Sequence, residues 1–219
     1  MTIHFHRDLE AMKSRILDMG GLVEASVDKA ISSLIDRRPG LAREVIDGDD
    51  EIDEREVVIE IECQKMLALH QPVASDLRFI LTMLKVNNDL ERAGDLAVNI
   101  AERALFLGER PPLRMPDQLV RQAEAARGML RDCLDSLVNQ DTALARRIRA
   151  RDDDVDELNR EMFRIVEAMM REDPETIERG LHLLSCSRHL ERLADLATNI
   201  AEDVVFLVEG RVIRHRNPA

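Results

Sequence analysis

Hydrophobic and polar residues separate onto opposite faces when the segment 89–107 is drawn as a helix with about 100° per residue. Leu96 and Ile100 cluster on one face, while Glu91 and Asp95 lie on the other. Breaks rich in Pro, Gly and Asn divide the rest of the chain into similarly long segments. The pattern predicts an all-α protein with six helices, at residues 7–37, 41–70, 73–107, 117–138, 142–172 and 174–209.

The two halves of the chain are copies of each other. Residues 89–107 (DLERAGDLAVNIAERALFL) and 189–207 (HLERLADLATNIAEDVVFL) are identical at twelve of nineteen positions, an offset of 100. At an offset of 103, residues 41–54 match residues 144–157 in the same way. The sequence therefore predicts two tandem three-helix bundles related by a pseudo-twofold axis.

The densest group of helix breakers marks the boundary between these bundles. Residues 108–116 contain three prolines and divide the chain almost in half. The predicted organisation is a first repeat at 1–108, a linker at 109–116 and a second repeat at 117–219. Within the second repeat, Asp173 is the expected N-cap of the last helix, with Pro174 at its first helical position.

The repeat preserves acidic residues as faithfully as apolar ones. Each half carries two acidic pairs with i,i+4 spacing, on helices two and three of its bundle. If those two helices form an antiparallel hairpin, both pairs lie at the same level. We call these sets the first acidic quartet (Asp49, Asp53, Glu91, Asp95) and the second acidic quartet (Asp152, Asp156, Glu191, Asp195).

Four carboxylates so arranged repel one another, by roughly 3 kcal/mol for a pair about 5 Å apart at an effective dielectric constant near 20. Positive charge is therefore expected beside each quartet. One source is a surface ion pair with Arg92 or Arg192, and the other is a multivalent cation with oxygen ligands. The absence of clustered His or Cys disfavours a structural zinc site and favours Mg, Mn, Ca or iron. For His182 and His189, packing or capping is favoured over a role as outer ligands.

Composition and charge exclude several functional classes. The chain is 45% hydrophobic with 2% aromatic residues, and its net charge of -12 would repel a nucleic-acid backbone. Its three cysteines, Cys63, Cys133 and Cys186, show no paired spacing and are expected to be small core residues in a reducing compartment. No apolar stretch is long enough to span a bilayer, so we expect a cytoplasmic protein.

Motifs of catalysis are missing from the sequence. It contains no Glu-x-x-His motif of the ferritin-like di-iron proteins, no P-loop, and no Gly-x-Ser-x-Gly motif. The sequence therefore predicts a protein that is not an enzyme. A helical scaffold that binds no metal stays open as the alternative to a metal-binding protein.

Three segments resemble the PhoU family of bacterial phosphate-transport accessory proteins. They are QPVASDLRFI at 71–80, DLERAGDLAVNIAE at 89–102 and HLERLADLATNIAE at 189–202. The resemblance implies two three-helix bundles whose Glu/Asp-x-x-x-Asp motifs, here the two acidic quartets, bind divalent or ferric ions, with iron, Mn, Mg and Zn as candidates. Gly94 becomes Ala194 and Asp89 becomes His189 in the second copy, so the two sites are expected to differ in affinity.

The same resemblance implies a regulatory adaptor. Such a protein acts at the inner face of the membrane, binds a phosphate ABC transporter and a sensor histidine kinase, and represses the phosphate-starvation response. It also implies a homodimer. Regulation of a different transporter is the remaining alternative for a helical adaptor of this kind.

Overall fold

The computed structural model describes residues 3–213, and this part of the chain contains seven α-helices and one short 3-10 helix. The helices are α1 (Ile3–Ile35), α2 (Pro39–Asp47), α3 (Asp49–His70), α4 (Ala74–Gly108), α5 (Asp117–Asn139), α6 (Thr142–Glu172) and α7 (Ile177–Glu209). There is no β-strand in this described part. The prediction of an all-α protein is confirmed.

The helix predicted at 41–70 is two helices, and this part of the prediction was wrong. The break lies at Gly48, between α2 and α3. A Cβ atom added there would lie 3.0 Å from the Glu44 carbonyl oxygen, a contact tighter than most Cβ atoms make. The corresponding residue of the second repeat is Arg151, and α6 runs through it without interruption. The glycine, a poor helix former, therefore accounts for the break in one copy only.

The predicted cap of the last helix is confirmed, although the first turn is tighter than expected. The Asp173 carboxylate accepts a hydrogen bond of 3.1 Å from the Glu175 amide. Residues 174–176 form a 3-10 turn with Pro174 at its start, and the α-helix begins at Ile177.

The helices pack as two three-helix bundles. Helices α1, α2/α3 and α4 form the first bundle, and α5, α6 and α7 form the second. Helix α4 packs along α7, so these two equivalent helices form the contact between the bundles, with a smaller contact between α1 and α5. Ala, Leu, Ile, Val and Met fill a continuous core, which also holds the three cysteines. Burial raises the pKa of Cys63 and Cys186 to about 12, so neither is a reactive thiolate.

The segment between the bundles is held by hydrogen bonds from both sides. Residues 109–116 contain no helix. Arg37 of the first bundle donates to the carbonyl oxygens of Gly108 and Arg110, at 3.1 and 2.8 Å. Arg179 of the second bundle donates to the Pro111 carbonyl oxygen at 2.9 Å. These bonds satisfy backbone carbonyl groups that the helices leave free.

Candidate metal-binding site

The first acidic quartet lies where the start of α3 meets the middle of α4. Asp49 is the first residue of α3, Asp53 follows one turn later, and Glu91 and Asp95 face them from α4. Burial raises the pKa of Asp49, Glu91 and Asp95, and the neighbouring carboxylates of the quartet raise each pKa further. The four side chains are therefore close enough to repel one another.

The second acidic quartet repeats this arrangement between α6 and α7. Burial first, and then the carboxylates of Asp195 and Asp156, raise the pKa of Asp152 to about 6. Burial, Glu191 and Asp156 raise the pKa of Asp195 to the same value. Burial and Asp156 also raise the pKa of Glu191. At neutral pH the structure thus holds carboxylates together whose ionised forms are mutually destabilising.

The helix break at Gly48 makes the surroundings of the two quartets differ. It places Asp49 in the first turn of α3, where free backbone amides and the helix dipole favour negative charge. The corresponding Asp152 lies ten residues inside α6, away from any helix N-terminus. Its carboxylate accepts one hydrogen bond, from the Thr198 hydroxyl at 3.3 Å.

Carboxylates from both quartets line one groove, which is formed by α4, α6 and α7. The groove is a cavity of about 1210 Å³. Asp95 from the first quartet and Asp152 and Asp195 from the second lie on its wall, with the repeated residues Asn99 and Asn199. The pseudo-twofold relation of the bundles therefore brings the two candidate sites to the same face of the protein.

Arginines approach the quartets without neutralising them. Arg92 lowers the pKa of Glu91 and Asp95, but burial and the other carboxylates outweigh its effect. Arg92 forms an ion pair with Asp89 at 3.6 Å. In the second quartet, Arg192 lowers the pKa of Glu191 and Asp195, but burial and the other carboxylates outweigh its effect. Arg160 lies 3.7 Å from Asp156 at an exposed position. An ion pair of this kind contributes little to stability. The arginines therefore leave both sets of carboxylates short of positive charge.

The carboxylate donors fit a hard cation in their chemistry, whereas their side-chain conformations in this structure do not converge on one ion position. All eight donors are carboxylates, the ligands that Mg, Mn, Ca and iron accept. Among the described residues, no three or more His, Cys, Asp or Glu side chains are already arranged as ligands of one ion. Because Asp53, Asp95 and Asp195 are exposed, their side chains can turn without disturbing the core.

The two histidines singled out from the sequence make packing contacts. His182 stacks on the ring of Phe106 at 3.6 Å between centroids, and the Arg110 guanidinium covers the other side of that ring at 3.2 Å. His189 lies 3.1 Å from the Ser185 hydroxyl. Burial lowers the pKa of both histidines, so the neutral imidazole is favoured.

Two arginines of the groove were not identified from the sequence. Arg146 and Arg149 of α6 line the groove together with the carboxylates. Arg149 lies 3.2 Å from Glu202, which is itself buried. The corresponding residues of the first repeat are Arg43 and Ile46, so the repeat gave no signal for Arg149.

Fold and sites together define a duplicated helical protein with carboxylate clusters on its surface, a class that comparison with known proteins narrows to one family. The PhoU domain model matches residues 16–104 and 119–204, once in each bundle. The chain belongs to the PhoU family.

Relatives match over nearly the whole chain. The phosphate-specific transport system accessory protein PhoU homolog of Aquifex aeolicus is 43% identical over 211 residues, which cover 96% of each protein. The homolog of Pseudomonas putida is 40% identical over 96% of this chain and 83% of its own length.

Solved structures show the same fold. The crystal structure of PhoU from Pseudomonas aeruginosa matches with a TM-score of 0.92 at 40% identity, covering 94% of this chain and 100% of that one. The phosphate transport system regulatory protein PhoU from Streptococcus pneumoniae matches with a TM-score of 0.88 at 30% identity, covering 95% and 98%. These matches confirm the fold expected from the sequence. Within residues 3–213, no helix combines the length and apolarity needed to cross a membrane.

Proposed function

We propose that this protein is a metal-binding regulatory adaptor of a phosphate transport system. In this role it couples a phosphate ABC transporter to a sensor histidine kinase at the inner face of the membrane and represses the phosphate-starvation response. The observation that carries the proposal is the match to PhoU accessory proteins across 96% of the chain. Because the sequence contains no recognised catalytic motif, we propose that it acts by binding.

The two acidic quartets are the proposed metal sites. Their carboxylates would hold one or more divalent or ferric ions, which would supply the positive charge that the repulsion within each quartet demands. The raised pKa values of Asp152 and Asp195 support this part of the proposal. Since Asp95 and Asp195 lie in one groove, a cation at each quartet would change the charge of a single recognition face.

Metal content tests the sites separately. In protein purified without chelator, the double substitution Glu91→Gln and Asp95→Asn should lower the metal bound per chain by the amount that one quartet holds, and leave the second quartet occupied. The matched control removes the same charge from exposed neighbours on α3, with Asp50→Asn and Glu54→Gln, and should bind as the wild type does. A wild type without metal, or a variant with unchanged metal content, would refute the metal sites and favour the metal-free scaffold.

A deletion strain tests the adaptor role. Loss of the gene should release phosphate-starvation genes from repression in phosphate-rich medium, and the wild-type gene should restore repression. Restoration by the quartet variants would indicate that metal serves the fold rather than the binding surface. Normal repression in the deletion strain, together with altered uptake of another solute, would favour regulation of a different transporter.

A further inference from the structure

Helix α3 is apolar on two opposite faces. Its inner face packs Ile52, Ile59, Cys63 and Met66 into the core. On its solvent side lies a second set of apolar side chains, which we call the outer row: Val57 (50% exposed), Val58 (43%), Ile61 (44%) and Leu69 (76%). A helix that is apolar all round is normally covered on every side. The outer row is thus a helix face without a partner among the described residues.

The second repeat shows that the bundle does not require an apolar outer row. At the buried positions, the two repeats agree in character: Ile52 corresponds to Val155, Ile59 to Met162, and Cys63 to Val166. At the outer positions they disagree completely. The residues that correspond to Val57, Val58, Ile61 and Leu69 are Arg160, Glu161, Arg164 and Glu172. The same fold is therefore built with four charged residues where α3 exposes four apolar ones.

Acidic side chains flank the outer row. Asp50, Glu54 and Glu60 are exposed on α3. The one arginine and the one lysine of this helix are already paired with acidic neighbours, Arg55 with Glu51 at 2.7 Å and Lys65 with Glu62 at 2.9 Å. On the helix face of the outer row, Asp50 and Glu54 lie N-terminal to the apolar residues, and the paired Lys65 lies between Ile61 and Leu69. The surface is consequently mainly apolar, with negative charge concentrated at its N-terminal end. Two copies facing each other through it would bring like charges together, and an anionic membrane would be repelled for the same reason.

We propose that the outer row of α3 is a docking site for a basic amphipathic helix of a partner protein. The row spans about three helical turns, so a helix of comparable length would cover it. Apolar side chains of the partner would contact Val57, Ile61 and Leu69, and its Lys or Arg residues would face Asp50 and Glu54. These five residues lie outside both quartets, so the inference does not depend on metal binding.

A model peptide tests the site on the full chain. The probe is a fluorescent helical peptide of about 18 residues, built from Leu at three- and four-residue spacing and Lys elsewhere. With Val58→Glu and Leu69→Glu, the residues that the second repeat carries, its affinity should fall by about tenfold or more. The direction of the change in affinity is decisive, because the added negative charge alone would strengthen binding of this cationic peptide. Unchanged or tighter binding would overturn the proposal.

A matched control makes the same chemical change elsewhere. Ile177→Glu and Leu181→Glu remove two exposed apolar side chains of α7 and add the same charge, and they should not weaken peptide binding. A similar loss in this control would mean that the peptide has no defined site, and would also overturn the proposal. Circular dichroism checks folding, and Val58→Gln with Leu69→Gln replaces any variant that does not fold.

Sedimentation of the protein alone tests the competing occupant. We expect the oligomeric state of the wild type and of the Val58→Glu, Leu69→Glu variant to be the same. If the wild type self-associates and this variant does not, the outer row is an interface between copies of the chain, and the proposed partner helix is wrong.

Discussion

Neutralising one carboxylate of the second quartet should stabilise the metal-free protein. Burial and the neighbouring carboxylates raise the pKa of Asp195 from 3.8 to about 6. The folded protein therefore binds this proton more tightly than the unfolded chain does. The contribution of Asp195 to stability is consequently most favourable below about pH 4 and is lost as the pH rises through about 6. Asp195→Asn removes this ionisation, and it also relieves the repulsion that Asp152 experiences.

The expected magnitude follows from the pKa difference. A rise of the pKa from 3.8 to about 6 corresponds to roughly 3 kcal/mol for a fully desolvated group. Asp195 is exposed at the groove, so water screens the repulsion and we take about half of this value or less. Asp195→Asn should thus raise the free energy of unfolding by about 1 kcal/mol near pH 7.5 and change it little near pH 4.5.

Urea unfolding in the presence of EDTA measures this effect at both pH values. The control variant Asp154→Asn, which neutralises an exposed acid of α6 outside the quartet, should change stability by less than about 0.5 kcal/mol. A binding cation should reverse the order, because it stabilises the wild type more than Asp195→Asn. Destabilisation by Asp195→Asn near pH 7.5, or an equal effect at both pH values, would refute the electrostatic reasoning.

Two further predictions concern packing and buried polar groups. A Cβ atom at Gly94 would lie 3.2 Å from Ile52, whereas the second copy pairs Ala194 with the smaller Val155. We therefore expect Ile52→Val to cost less free energy of unfolding in the Gly94→Ala background than in the wild type, by about 1 kcal/mol in urea unfolding. Additive effects of the two changes would contradict this coupling. Gln122→Leu removes the bonds of 3.0 and 2.7 Å that the buried amide makes to Ser187, and thermal or urea unfolding should show a loss of about 1–3 kcal/mol.

The repeated acidic pairs could be placed from the sequence because helical geometry is regular. Four-residue spacing puts Glu91 and Asp95 on one helix face, and an antiparallel hairpin brings that face to the level of Asp49 and Asp53. The structure holds these side chains close enough to raise one another's pKa. Their role as metal ligands stays a prediction.

Features that depend on contacts between distant segments could not be predicted in this way. The groove between α4 and α7 exists because the two bundles pack through equivalent helices, and helical periodicity within one segment does not encode that contact. The break at Gly48 was missed because one glycine is often tolerated inside a helix. At Gly94 the sequence suggested a difference in site affinity, which stays a prediction; the structure adds a packing constraint, because a Cβ atom there would lie 3.2 Å from Ile52.

The comparison of the two copies separates what the fold needs from what it tolerates. The packed pair Gly94 and Ile52 of the first copy is Ala194 and Val155 in the second, and the residues of the outer row of α3 are charged residues on α6. The fold of the two copies is nevertheless the same. Each carboxylate of the first quartet has an identical residue in the second quartet. This identity holds although the raised pKa values of Asp152 and Asp195 indicate that the ionised forms of these two residues oppose folding. A residue set that costs stability in a fold that tolerates variation elsewhere is not explained by folding. Its retention in both halves therefore favours a binding role for the quartets, as the proposed metal sites require.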